Sequence, residues 1–199
     1  FNNGDDNIAI KSGRDNDGWT LCPPSENILI RRCHFKGLHA VVIGSEMSGG
    51  VRNVVIENCG YYGYCKRGIF IKTNPDRGGF VSNIFVRNVH FGQVLDLFYV
   101  TSMYAGQGLD NNHFTTIENI HVDSLSARQV DGTCLVLQGT REKPIRNVSF
   151  RRIIVDELKN GCSFENTDPV MIADSHMGPL VGIPSQVSES DKIFEKNNK

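Results

Sequence analysis

One short pattern recurs five times along this chain and limits its fold more than anything else. Glu26-Asn27-Ile28-Leu29-Ile30, Arg52-Asn53-Val54-Val55-Ile56, Ser82-Asn83-Ile84-Phe85-Val86, Glu118-Asn119-Ile120-His121-Val122 and Arg146-Asn147-Val148-Ser149-Phe150 share it. Counted from each Asn, the next residue is Ile28, Val54, Ile84, Ile120 or Val148, and the third is Ile30, Ile56, Val86, Val122 or Phe150. The sixth is Cys33, Cys59, Val89, Leu125 or Ile153, with mostly polar residues between. Apolar residues at every second position mark a strand, and the skip from third to sixth marks a bend after it. A second apolar ladder follows each first one: Val41-Val42-Ile43, Ile69-Phe70-Ile71, Leu97-Phe98-Tyr99-Val100, Cys134-Leu135-Val136-Leu137 and, weakly, Cys162-Ser163-Phe164. Asn7-Ile8-Ala9-Ile10 is the same element of an earlier coil.

The asparagines are 26, 30, 36 and 28 residues apart, with no helical pattern between them. Short strands at that period predict an all-β fold, a parallel β-helix solenoid with the asparagines stacked as an amide ladder at one turn. A sandwich would need hairpin turns every 8–12 residues or so, and these are absent. The repeat spans residues 1–167. Residues 168–199 read as a non-repeat cover or tail, with a polar, mobile end from Ser188 to Lys199.

Lys and Arg total 21 against 22 Asp and Glu, for a formal net charge of −1, which excludes a polybasic nucleic-acid binder. No apolar run approaches the roughly 18 residues of a membrane span. The six cysteines contain no Cys-x-x-Cys pair, which argues against a zinc site and for buried thiols, with one or two disulfides open to an extracellular protein. The chain begins at Phe1 without an initiator Met or a leader, which reads as a mature or truncated piece.

Stacked coils place equivalent residues about 4.8 Å apart. Setting Ile8 on Val41 on Ile69 brings Asp6, His39 and Arg67 into one row, with Asp5 beside it. The same alignment brings Lys11, Gly44 and Lys72 into another. Asp5 and Asp6 are suited to general acid/base work, because two close carboxylates divide into a protonated and an ionised member. Arg67, Lys72 and Lys11 are candidates to hold a substrate carboxylate, Arg as a fork and Lys as a point charge. Tyr61, Tyr62, Tyr64, Phe70, Tyr99 and Tyr104 are candidates to stack on sugar rings, and Trp19 to border the cleft. His113 and His121 have no evident partner.

Gly4-Asp5-Asp6-Asn7-Ile8-Ala9-Ile10-Lys11-Ser12-Gly13, Ile43-Gly44-Ser45-Glu46-Met47-Ser48-Gly49-Gly50 and Arg67-Gly68-Ile69-Phe70-Ile71-Lys72 resemble glycoside hydrolase family 28, the polygalacturonase-like enzymes, and most of all its exo-acting branch. The resemblance implies a right-handed parallel β-helix that hydrolyses α-glycosidic bonds of pectin with inversion and without a metal or other cofactor. It implies Asp5 as general acid, Asp6 as one of the carboxylates that activate water, His39 as the active-site histidine and Lys72 as a substrate-binding lysine. Inversion would set acid and base roughly 6.5–9.5 Å apart. The resemblance also implies a further Asp in an Asn-Thr-Asp motif upstream of the pair, a stretch not in this chain. The expectation is therefore a piece of a longer solenoid, a poor catalyst alone.

Two motifs depart from the family. Its Gly-His-Gly reads Leu38-His39-Ala40, and its Arg-Ile-Lys reads Phe70-Ile71-Lys72, where Phe removes a carboxylate donor. A rhamnogalacturonan or another pectic polymer is the alternative substrate. A calcium-dependent pectate lyase and a non-catalytic carbohydrate-binding β-helix are the alternative classes. The partner expected is a pectic polysaccharide, met by a secreted or periplasmic monomer with no nucleic-acid or membrane-spanning role.

Overall fold

The computed structural model describes residues 1–106, 111–188 and 193–198. Its strands are β1 (Asn2–Ile10), β2 (Ser25–Arg31), β3 (His34–Gly44), β4 (Val51–Lys72), β5 (Phe80–Thr101), β6 (Thr116–Gln138), β7 (Arg146–Glu165), β8 (Val170–Ala173), β9 (His176–Met177), β10 (Gln186–Ser188) and β11 (Ile193–Lys196). One short helix, α1 (Asp15–Leu21), follows β1. All pairings are parallel, in the order β1-β3-β4-β5-β6-β7-β8-β11, with β2 on β4 and β9 and β10 on β7. The chain is a right-handed parallel β-helix, the hand that parallel crossovers take.

Each repeated asparagine forms a corner. Asn27, Asn53, Asn83, Asn119 and Asn147 have φ of 59, 56, 56, 57 and 52°, the left-handed region that Asn tolerates. Each of the last four donates its side-chain amide to the one before it, at 3.1, 3.1, 3.3 and 2.7 Å. The ladder ends at Asn147 because Pro169 holds the next stacked position. Five residues on, Arg32, Asn58, Asn88, Ser124 and Arg152 make a second left-handed corner, which is the bend implied by the skip in the repeat.

Inside, the aligned apolar residues stack coil on coil. Val54, Ile84, Ile120 and Val148 are buried, as are Cys59, Val89, Leu125 and Ile153. Outside, register places Arg31, Glu57, Arg87, Asp123 and Arg151 in one row of alternating charge. All six cysteines are free. Cys59, Cys65, Cys134 and Cys162 are buried thiols, while Cys33 and Cys22 are half-buried.

Two features differ from the sequence reading. Stacking does not stop at Thr167: β8 lies on β7, β11 on β8, and Asn197 continues the second corner by donating to Asp174 at 3.0 Å. These strands are too short to display a period. Of the end expected to be mobile, 193–196 form β11, while 189–192 and 199 lie outside the described residues. The second difference is α1, which lacks a side-chain N-cap at Arg14. Tertiary contacts hold it instead: Arg77 donates to Asp15 at 2.6 Å, and the Trp19 indole donates to the Arg77 carbonyl at 2.7 Å.

Candidate active site

The register aligns Asp6 with His39, His39 with Arg67, and Gly44 with Lys72, as the sequence predicted. Strands β1, β3 and β4 thus bring together groups up to 66 residues apart. Asp6 is half-buried, and its carboxylate lies 2.7 Å from His39 Nδ1 and accepts from Lys72 Nζ at 3.2 Å. Burial alone would raise the Asp6 pKa. The His39 hydrogen bond and the Lys72 ammonium outweigh it and hold the carboxyl below its ordinary 3.8. Asp6 is thus favoured in its ionised form.

Asp5, the preceding residue, is exposed and reaches to 3.9 Å from the same His39 nitrogen. Asn7 buries its side chain and donates to the His39 carbonyl at 2.5 Å, fixing β1 against β3 behind the pair. Oxygens of Asp5 and Asp6 and a His39 nitrogen lie within 4.8 Å of one another. These three could offer ligand atoms to a cation, although the Lys72 ammonium already occupies Asp6. Oxygens of Asp5 and Asp6 are thus closer than the roughly 6.5–9.5 Å that inversion needs between acid and base, so the two do not make up an inverting pair by themselves.

Asp5, His39, Arg67 and Lys72 open on a cavity of about 370 Å³, walled by Phe70, Tyr99 and Tyr104. Phe70 meets His39, Tyr99 and Tyr104 edge-on, at 5.8, 5.5 and 6.3 Å between ring centres. Lys72 Nζ lies 5.4 Å from the centres of Phe70 and Tyr104. Phe70 therefore packs as the apolar wall between the histidine and the lysine.

Arg67 reaches the cavity but is already paired. Its guanidinium bonds the buried Asp96 and lies 4.6 Å over the Tyr99 ring. Burial raises the Asp96 pKa, against the lowering effects of the Thr133 N–H and the Arg67 charge. Asp96 escaped the sequence reading, although extending the alignment by one coil places it directly on Arg67. Lys11 does not line the cavity and pairs with Glu46 on the outside.

The aromatic candidates divide. Phe70, Tyr99 and Tyr104 line the cavity, Tyr61 is buried against Phe91, and Tyr62 and Tyr64 are exposed elsewhere. Trp19 borders a different hollow with His113, whose ring it meets edge-on at 3.9 Å. His121 stacks on Phe85 at 5.3 Å and bonds Ser149 at 2.8 Å.

The family model described as "Glycosyl hydrolases family 28" matches residues 1–173. The chain is 31% identical over 158 residues to a "Probable polygalacturonase" of Vitis vinifera, covering 76% of this chain and 32% of that protein. It is 29% identical over 166 residues to a "Polygalacturonase" of Ralstonia solanacearum, covering 78% and 29%. The fold superposes on the crystal structure of a hyperthermoactive exopolygalacturonase from Thermotoga maritima with a TM-score of 0.66 at 26% identity, covering 98% of this chain and 40% of that one. The chain thus spans about a third of the curated relatives it matches.

Proposed function

Because the chain belongs to glycosyl hydrolase family 28, we propose that the protein carrying it hydrolyses α-glycosidic bonds of a galacturonan, working from chain ends. The carrying observation is the Asp6 carboxylate, locked in its ionised form between His39 and Lys72, with Asp5 exposed in front of it.

In this reading the sugar occupies the cavity, with a ring face against Phe70, Tyr99 and Tyr104. Asp5 gives its proton to the leaving glycosidic oxygen, since it alone of the pair is free of a lysine partner and open to the cavity. Asp6, kept charged by His39 and Lys72, helps orient the attacking water, and inversion calls for a second water-activating carboxylate farther from Asp5 than Asp6 stands. Buried Asp96 fixes the direction of Arg67. Lys66, exposed at the rim, and Lys72 offer positive charge to a uronate carboxylate. The names of the relatives favour galacturonan over the rhamnogalacturonan, lyase and non-catalytic alternatives. A polymer of that size cannot cross a membrane, which supports a secreted or periplasmic place of action for a protein acting as a monomer. No helix among the described residues is long and apolar enough to cross a membrane.

The test is hydrolysis of polygalacturonate by the protein carrying this chain. Asp5→Asn should abolish release of reducing ends, with the folded state kept. Wild type should release short products from the outset while viscosity falls slowly. Proton NMR of the first-formed sugar should show the β anomer. An unsaturated product, or full activity in Asp5→Asn, overturns the reading.

A further inference from the structure

Two glycines in this fold have no steric reason to be glycine. Neither Gly60 nor Gly92 has backbone in the left-handed region, and a Cβ built on either would meet nothing nearer than 3.7 and 3.8 Å. Gly37 and Gly44 are different: their φ of 133 and 93° and their close backbone neighbours demand glycine. At Gly60 and Gly92 the missing side chain leaves space. The two floor a hollow of about 360 Å³ between Tyr62, His34 and His90. Through Gly63 and Gly92 it continues into a second hollow of about 270 Å³, bordered by Tyr64, Gln93 and Arg128.

The two hollows form one groove across β3 to β6. It runs over Asn58–Tyr64 of β4 and the residues stacked beside them, whereas the cavity with Asp5 and His39 is lined from Lys66 onward in that strand. His34, Gly60 and His90 are stacked neighbours, so the two imidazoles stand two strand spacings, roughly 9.5 Å, apart over an open floor. Tyr62 packs against His34 at 5.5 Å and is 62% exposed, and Tyr64 is 50% exposed. Among the described residues no carboxylate lines either hollow. Behind the lining, Asp131 accepts from the side-chain amides of Gln93 and Gln129 at 2.7 Å each. Exposed aromatic rings, two imidazoles and the Arg128 guanidinium in a groove whose own lining holds no carboxylate suit a sugar ring that carries a negative charge.

We propose that this groove is a second, non-catalytic binding site for a stretch of uronic-acid polysaccharide, holding the polymer on the solenoid outside the catalytic cavity. The proposal rests on the pectic reading above for the identity of the polymer. Gly60→Leu and Gly92→Leu put side chains into the groove with the Cβ at ordinary contact distance from its neighbours, and Tyr62→Ala and Arg128→Ala strip its exposed rim.

The experiment is affinity electrophoresis of the protein carrying this chain in gels containing polygalacturonate, with a neutral glucan as control. Turnover of short soluble oligogalacturonates is measured alongside. Each variant should bind polygalacturonate about tenfold more weakly, with turnover of short substrate unchanged. Undiminished retention of all four variants overturns the groove while leaving the hydrolase reading intact. Loss of retention in a protein that hydrolyses no pectic polymer supports the groove and overturns the hydrolase reading instead. Equal retention by the neutral glucan overturns the assignment of an acidic ligand. If the leucine variants unfold, the two rim variants decide the outcome.

Discussion

The proposed chemistry centres on Asp6, whose surroundings set a pH signature. Its side chain is 11% exposed and receives both the His39 contact and the Lys72 ammonium. A carboxyl whose pKa is depressed by folding stabilises the fold above its unfolded value and loses that contribution as the pH falls through the folded one. Asp6→Asn should therefore lower stability by about 1–3 kcal/mol above about pH 5, the size of a hydrogen-bonded charge. The gap to wild type should close as the pH drops below the ordinary 3.8. Thermal midpoints at a series of pH values check this, and a gap that widens toward acid would contradict it. Asp96 has the opposite sign, since burial raises its pKa and its protonated form favours the fold as the pH falls. The Asp6–His39 and Gly44–Lys72 rows were legible in the sequence because stacking alone determines them. The burial of Asp6 and the exposure of Asp5 were not, because a bulge in β1 decides which way each carboxyl faces. Lys11 was misplaced for a related reason. It lies just past the end of β1, where Glu46 from the loop after β3 captures it.

At the scale of the element, the corners fix the coils. Asn83 both accepts from Asn119 and donates to Asn53, with a φ of 56°. Asn83→Ala loses both amide bonds, at about 1 kcal/mol each, and loses the local polar contacts by which Asn tolerates the left-handed region, at a further cost of about 1 kcal/mol. Asn83→Gly loses the bonds but relieves the backbone. Urea unfolding should place alanine about 3 kcal/mol below wild type and glycine about 1–2 kcal/mol below. Alanine milder than glycine would mean that backbone strain has no part in the corner. These corners were readable from the Asn spacing, because only Asn and Gly commonly pair a left-handed turn with a small or hydrogen-bonding side chain. Helix α1 was not readable. Its seven residues contain Gly18, have no N-cap side-chain bond, and are held by Arg77, which comes 60 or so residues later in the chain. Strands β8 to β11 were missed because two to four residues cannot show an alternation.

At the scale of the molecule, each coil touches chiefly its neighbours, so stability is a sum of coil and interface contributions and can fail locally. The repeat predicted this architecture directly, whereas the site face could be predicted only where register transmitted it. Ile153, in β7, is fully buried and stacks on Leu125, then Val89, then Cys59, on a facet away from the catalytic cavity. Ile153→Ala should lower stability by about 2–5 kcal/mol through a cavity the rigid coils cannot close. Because coupling runs through nearest neighbours, amide exchange should accelerate first in β6, β7 and β8, while β3 and β4 keep their protection. The proposed catalytic groups of β1, β3 and β4 lie outside the loosened coils, so hydrolysis per folded molecule of the protein carrying this chain should stay at the wild-type rate. Hydrogen exchange read strand by strand, together with turnover at a temperature where the variant is folded, tests both halves. Protection lost evenly from β1 to β8 would show that the solenoid unfolds as one block, and the site would then depend on every coil rather than on the three that build it.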